Sequence, residues 1–222
     1  MNIILNGAKG KMGSSIKRTL EKNNFNVYEV DIIKADGVYE LKSIDVRVDG
    51  IIDFSTPDGA MKALDFAFSK GVPLVCGTTG LSDEFFEKMK NYSSKIAIFY
   101  SPNMSVGINL CFFIVDIVSK KLDWDMHIHE VHHKFKKDMP SGTALYFKKI
   151  IESNNKKASV TSSRIGDIAG EHEITFALNG EKITISHIAY NREIFANGAV
   201  MALKWIISKP AGIYSFKDIM GF

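Results

Sequence analysis

The sequence predicts an α/β protein in two parts: a doubly wound parallel sheet over about the first hundred residues, then an α+β segment with a mixed sheet. Three observations carry this. Apolar runs alternate with amphipathic stretches from residue 1 to about 100, the pattern of parallel strands joined by helices. The first run ends in a glycine-rich turn, Gly7-Ala8-Lys9-Gly10-Lys11-Met12-Gly13, which opens an amphipathic segment through Leu20. Beyond residue 158 the period shortens. Ile174, Phe176 and Leu178 alternate with polar or small residues, Asn179-Gly180 is a two-residue hairpin turn, and Ile183 and Ile185 continue the alternation.

Taken in order, Ile3-Ile4-Leu5 is a short apolar run that reads as a buried parallel strand. Glycine permits the tight turn after it and lets a backbone approach a pyrophosphate at the helix N-terminus, so strand, turn and helix form the first unit of a Rossmann-type dinucleotide-binding fold. The spacing is GxxGxxG rather than GxGxxG, which taken alone fits a plain strand–helix turn equally well. The second strand, Phe25 to Val30, favours the nucleotide. It ends at Asp31, roughly 20 residues beyond the glycines, where a carboxylate accepts hydrogen bonds from the adenosine ribose. Residues 32–48 are mixed and irregular. Ile51 to Phe54 is a third strand, and Ser55-Thr56-Pro57-Asp58 starts a helix with a polar cap and a proline in its first turn. Val72 to Cys76 is the fourth strand, ending in Gly77-Thr78-Thr79-Gly80. A helix spans Ser82 to Tyr92, and Ile96 to Phe99 is the fifth strand. In such a sheet ligands bind at the carboxyl ends of the strands, which points to loops 7–13, 54–57, 77–80 and 101–104.

Ser101-Pro102-Asn103-Met104-Ser105 reads as the crossing into the second part. An apolar helix over about Gly107 to Lys120 follows, then a strand from Trp124 to Val131. The last helix, about Phe195 to Ser208, and the tail to Phe222 return to the first domain. A sheet with one face uncovered pairs readily with another subunit.

The densest chemistry lies at 129–143. His132 and His133 are followed by Lys136 and Asp138, then Pro140-Ser141-Gly142-Thr143 opens an amphipathic helix. Titratable donors thus stand beside a helix N-terminus, whose free N–H groups attract anions. All six histidines fall between 127 and 187, so this region holds most of the near-neutral titration capacity.

Composition excludes several classes. Hydrophobic content of 45% describes a soluble globular chain. Basic residues are scattered and the net charge is only +3, so no nucleic-acid surface is expected. The most apolar stretch, Leu110 to Val118, is too short to span a bilayer. Cys76 and Cys111 lack CxxC spacing and lie in apolar surroundings, as buried thiols of a reducing cytosol do. A cytoplasmic protein is expected.

At 129–143 the chain resembles a known family. Glu130-Val131-His132-His133, Lys136, Asp138 and Pro140-Ser141-Gly142-Thr143-Ala144 resemble the signature of the 4-hydroxy-tetrahydrodipicolinate reductases (dihydrodipicolinate reductases) of the diaminopimelate route to lysine. The likeness covers nearly the whole chain. Gly7 to Gly13 resembles the family's nucleotide loop, with Lys11 where arginine is usual. Gly77-Thr78-Thr79-Gly80 and Ser101 to Asn109 resemble its later cofactor loops. Arg164 to His172 and Phe195 to Ala199 resemble its second half. The chain is short for the family, with 32–48 abbreviated.

This resemblance implies a dinucleotide domain, 1–104 with 198–222, and a substrate-binding and tetramerisation domain, 105–197. It implies NADH or NADPH as cofactor, a small dicarboxylate as substrate and a homotetramer. Cofactor contacts would come from Gly7, Ala8, Lys9, Gly10, Lys11, Met12, Asp31, Gly77, Thr78, Thr79, Ser101, Pro102, Asn103 and Met104. His132 would be proton donor or acceptor, Lys136 proton donor and His133 a substrate contact, while Gly142 and Thr143 would hold a substrate carboxylate. The chemistry is coherent. Hydride addition to an electron-poor C=C–C=N system leaves negative charge that a cation and a proton must meet. Asp31 favours NADH because a carboxylate repels a 2′-phosphate. Ile32 stands where an arginine for that phosphate would help, although Lys9, Lys11 and Lys34 offer positive charge.

Three other readings compete. His127, His129, His132 and His133 could ligate a metal in a hydrolase, though no metal is expected because no Cys or carboxylate cluster completes a site. A non-catalytic dinucleotide-sensing module accounts for the first half but leaves His132, His133 and Lys136 without a purpose. A different two-domain dehydrogenase, for example one acting on aspartate, is set aside by the motif at 132–143.

Overall fold

The computed structural model describes Met1–Phe222. The chain forms two compact units, Met1–Ser105 with Glu193–Phe222, and Val106–Arg192.

The first unit is built on β1 (Asn2–Asn6), β2 (Asn26–Val30), β3 (Val38–Tyr39), β4 (Gly50–Asp53), β5 (Leu74–Cys76), β6 (Ala97–Tyr100) and β11 (Gly212–Tyr214). They form one sheet in the order β11-β6-β5-β4-β1-β2-β3, and every pairing is parallel. β1 and β4 pair although two strands separate them in sequence, so the winding reverses between them. That reversal is where a doubly wound sheet opens a crevice. Ile3, Ile4, Leu5, Ile51 and Ile52 are fully buried, because helices cover both faces. Helix α1 (Lys11–Lys22) packs against α6 (Glu193–Ile206). Helices α2 (Pro57–Lys70) and α3 (Asp83–Tyr92) share a core with Ile4, Ile51 and Leu74. Local signals set their starts: the Thr56 hydroxyl accepts from Gly59 N at 3.2 Å ahead of Pro57, and Ser82 caps α3.

The structure departs from the sequence reading at three places in this unit. Residues 32–48 contain β3 and a single 3-10 turn at Leu41–Ser43. The tail contributes edge strand β11 and the short helix α7 (Phe216–Met220). The expected domain boundary at 197/198 falls inside α6, which belongs to the first unit from Glu193 onward. Its residue Gly198 explains the Ala196-Asn197-Gly198 run: a Cβ there would lie 1.8 Å from the Met104 carbonyl oxygen, so any side chain would push the helix off the β6 loop.

The second unit has helix α4 (Val106–Lys121), β7 (Asp125–His132), α5 (Gly142–Ser153), β8 (Ser159–Arg164), β9 (Gly170–Leu178) and β10 (Glu181–Ala189). The sheet order is β10-β9-β7-β8. β9 pairs antiparallel with both β10 and β7, while β7 and β8 are parallel, so the sheet is mixed as expected. Asn179-Gly180 makes the hairpin, with Gly180 at φ +94°. Helices α4 and α5 cover one face through Ile108, Phe112, Val115, Phe147 and Ile151 over Met126, Ile128, Ile174 and Phe176. The apolar alternation fades toward the hairpin: Leu178 and Ile183 beside the turn are exposed, while Ile185 further along β10 still packs on the core under α4 and α5.

Candidate active site

In the first unit the loops at the carboxyl ends of β1, β4, β5 and β6 converge, as the fold requires. Gly7 sits at φ +82°, and a Cβ there would fall 2.2 Å from the Phe54 carbonyl oxygen. One at Gly13 would fall 2.1 Å from Gly7 O, so two glycines let α1 close tightly onto the strand ends. Helix α1 is capped by Gly10, which has no side chain to satisfy the first-turn N–H groups of Lys11, Met12 and Gly13. These donors fit a dinucleotide pyrophosphate. A cavity of about 1,470 Å³ opens beside them, lined by Gly7, Gly10, Asp31, Ile32 and Thr56 among others.

Asp53 fastens these loops together. It is fully buried. Its carboxylate accepts from Asn6 Nδ2 at 2.7 Å, Ser55 Oγ at 2.6 Å and Thr78 Oγ1 at 2.6 Å. Burial raises its pKa, and these hydrogen bonds oppose the rise without cancelling it. The β5 loop is tied in turn to β4 and β6, through Gly77 N on Asp53 O and Ser101 N on Cys76 O.

This geometry sorts the expected cofactor residues. Lys9, Gly10, Lys11, Thr79 and Pro102 are exposed, whereas Ala8, Gly77, Thr78, Ser101 and Met104 are buried. Thr78 uses its hydroxyl on Asp53 and Ser55 N, and Ser101 donates to Asn103 O at 2.7 Å. Their hydroxyl protons are therefore committed within the protein. The Asp31 carboxylate accepts from Lys9 N at 2.8 Å and Ile33 N at 3.0 Å, fixing it beside the glycine turn. Lys9 Nζ is held by Glu29 at 2.9 Å, and Glu29 also binds Lys17.

The second unit holds the histidine cluster, and strand parity divides it. His127 and His129 share one face of β7 and contact Ser159 and Thr161 at 2.7–2.9 Å. Glu130 and His132 lie on the other face, in phase with buried Met126 and Ile128. The four histidines proposed as metal ligands therefore point two ways, and no group of three or more His, Cys, Asp and Glu side chains is gathered to hold a metal ion.

Glu130 is fully buried. Arg164 grips it with both terminal nitrogens, at 2.7 Å and 2.9 Å, Ser141 N donates to it at 3.1 Å, and His132 Nδ1 forms a short hydrogen bond with it. Burial pushes this carboxyl up, but Arg164, Ser162, His132 and Ser141 outweigh burial and hold it at about 2. Burial lowers the His132 pKa, and Glu130 only partly offsets this. His172 packs edge-on against His132, with ring centroids 5.1 Å apart. Burial, and then the neighbouring His132, bring His172 to about 3.

Lys136 lies in the loop after β7. Its Nζ is 2.8 Å from Asp138 Oδ1, and Gly142 N–H donates to the same carboxylate at the start of α5. Ser141 caps that helix through Ala144 N. Thr143 is half-buried, and His133 Nδ1 is buried without a partner. The structure thus brings together His132, His133, Lys136, Gly142 and Thr143 around one loop and one helix start. Sequence reasoning gave no role to Glu130, Arg164, His172, Asp53 or Asp138. A signal existed for two of them: Glu130 and Asp53 are charged residues in the buried phase of apolar strands.

The titration directions predict acid sensitivity. His172 has a lowered folded pKa, so its contribution to stability is full above about 6.5 and falls as pH drops toward 3. Glu130 has a depressed carboxylate, so its contribution is full above about 4.3 and is lost toward 2. Urea unfolding against pH should show stability declining below pH 6.5 by up to about 1.4 kcal/mol per pH unit, then more steeply below 4.3. His172→Gln should shrink the first decline, leaving the part due to His132 and His187, whose pKa values burial also lowers, and keep the second. An unchanged profile in that variant would exclude His172 as its source.

The chain is similar to known proteins over nearly its whole length. Residues 1–104 match the family model for the N-terminus of dihydrodipicolinate reductase, and 107–220 match that for its C-terminus. A Thermosipho africanus protein named 4-hydroxy-tetrahydrodipicolinate reductase is 39% identical, over 96% of this chain and 95% of its own. One of the same name from Rickettsia rickettsii is 35% identical, over 99% and 98%. The solved structure of a dipicolinate-bound dihydrodipicolinate reductase from Paenisporosarcina sp. TG-14 shares the fold, with a TM-score of 0.82 at 20% identity over 99% of both chains. With both halves matched and such relatives covering almost its full length, the chain belongs to the dihydrodipicolinate reductase family.

Proposed function

We propose that this protein reduces 4-hydroxy-tetrahydrodipicolinate to tetrahydrodipicolinate with a nicotinamide cofactor, in the diaminopimelate route to lysine. The observation that carries the reading is the loop from His132 to Thr143, where imidazoles, an ammonium and a helix N-terminus meet in a chain of this family.

The nicotinamide supplies the hydride when bound. The chain's own residues do the rest. In the first unit the uncapped start of α1 takes the pyrophosphate, Asp31 the ribose, and the loops fastened by Asp53 give main-chain contacts from Gly77 to Thr79 and from Ser101 to Met104. In the second unit Lys136 supplies a proton and offsets the charge that hydride addition leaves. His132 donates or accepts a proton, and His133 contacts substrate. Gly142 and Thr143 hold one substrate carboxylate at the N-terminus of α5. Support for that last role is that a carboxylate already lies there: Asp138 bridges Lys136 Nζ and Gly142 N–H.

NADH is the preferred cofactor. Asp31 is fixed beside the glycine turn, Ile32 is apolar and exposed, and Lys9 is paired with Glu29, which it shares with Lys17. No helix of the protein is long and apolar enough to cross a membrane, and the enzyme works in the cytoplasm. It assembles as a homotetramer through the uncovered face of the four-stranded sheet.

Three outcomes test this reading. Lys136→Ala should lower turnover by about 10²- to 10⁴-fold with the dissociation constant for NADH near normal; wild-type turnover would remove Lys136 from the mechanism. Substrate made in place from pyruvate and aspartate semialdehyde should be reduced with a higher kcat/KM for NADH than for NADPH, and a clear reversal would show that the lysines outweigh Asp31. Sedimentation should give close to four times the 24.7 kDa chain mass; a monomer at micromolar concentration would dismiss the tetramer.

A further inference from the structure

We propose that Glu130 is a positioning residue that fixes the tautomer of His132, and that Arg164 fixes Glu130 for this purpose. The catalytic consequence rests on the reading of His132 given above; the tautomer itself does not.

The argument starts from donors and acceptors. Arg164 is a donor only. It delivers one hydrogen bond to each oxygen of Glu130, 2.7 Å to Oε1 and 2.9 Å to Oε2, and Ser141 N adds a third to Oε1 at 3.1 Å. Arg164 is itself held by the Asp138 and Ser163 carbonyl oxygens, at 2.6 Å and 2.7 Å. Glu130 is therefore an ionised acceptor with no proton to give. The Ser162 hydroxyl also hydrogen-bonds it. Its bond to His132 runs to Nδ1, so that nitrogen must carry the proton. A neutral imidazole protonated at Nδ1 has its lone pair on Nε2. That edge of the ring is turned toward Gly170, where a Cβ would lie 3.0 Å from Nε2. Glycine leaves the acceptor edge uncovered. The groups facing His132 are Glu130 on its own strand, Arg164 on β8, His172 on β9 and Lys136 on the following loop. Of these, only Glu130 hydrogen-bonds Nδ1.

Glu130→Gln makes the case testable because the surroundings dictate how the amide sits. Two donors, Arg164 Nη2 and Ser141 N, converge on Oε1. The amide oxygen takes that place, because an NH₂ there would oppose two donors; at Oε2 it opposes one, Arg164 Nη1, and faces His132. Nδ1 then has to accept, and the proton moves to Nε2.

Nitrogen spectra of protein labelled with ¹⁵N-histidine report the tautomer directly, with His132 assigned by its absence from His132→Gln. In the wild-type protein at neutral pH we expect His132 protonated at Nδ1 and bare at Nε2. In Glu130→Gln we expect the reverse, with kcat down about 100-fold or more and KM for NADH unchanged. Glu130→Asp restores a carboxylate and should recover the Nδ1–H form and part of the rate. A wild-type His132 protonated at Nε2 overturns the proposal. So does a Glu130→Gln variant that keeps the Nδ1–H form, or one that switches tautomer with no loss of rate. If Glu130→Gln does not fold, the wild-type spectrum and Glu130→Asp decide. Full activity in His132→Gln would defeat the catalytic reading of His132 alone, because the spectra judge its tautomer without reference to turnover.

Discussion

A carboxylate stripped of water survives only if the fold surrounds it with donors, and each unit of this protein is arranged about one such group. Asp53 and Glu130 are both fully buried. Leaving either without its partners would cost several kcal/mol, so the loops that carry those partners are held where the carboxylates need them. Around Asp53 this gathers Asn6, Ser55 and Thr78, and with them the ends of three neighbouring strands. Around Glu130 it gathers Arg164 from β8, Ser141 from the start of α5 and His132 at the end of β7. Neither carboxylate is placed to meet a ligand. Their effect is to hold in position the loops that do.

The two environments differ in sign, and the difference matches what each must do. Asp53 has only neutral donors and its pKa is raised. It works as a fastening among neutral hydroxyl and amide groups in the dinucleotide half. Glu130 faces a guanidinium and its pKa falls to about 2. It stays charged under any physiological condition and can orient a histidine. A third carboxylate, Asp138, lies at the surface of the same loop and engages Lys136 and Gly142 N–H. An anion bound at that corner would have to compete with it or share its donors.

Charge pairing also refines the cofactor reading. Counted from sequence, Lys9, Lys11 and Lys34 look available to a phosphate. In the folded protein Lys9 is bound to Glu29, which is nearly buried and shared with Lys17. Glu29, near the end of β2, binds Lys9 Nζ, and Asp31, just past the strand, accepts from Lys9 N, so both acidic groups lie beside the glycine turn.

Much of this was legible in the chain itself. Alternating apolar runs determined the parallel sheet, and the polar helix starts at Ser55 to Asp58 and at Ser141 to Thr143 marked one helix in each unit, because those signals depend only on neighbours a few residues away. The glycine turn, Asp31 and the His132-to-Thr143 loop were legible for the same reason: short spacing along the chain. The tertiary structure alone decided the rest. Strands β3 and β11 are two and three residues long, too short to carry a period, and exist because a neighbouring strand offers them hydrogen bonds. Thr78 turns inward because Asp53 takes its hydroxyl, and Ser101 because the Asn103 carbonyl takes its own. The pairing of Glu130 with Arg164, 34 residues away, exists only because β7 and β8 align in register. Local sequence sets backbone preference and the phase of burial; which polar groups meet in the interior is set by strand order and register, and those are properties of the whole fold.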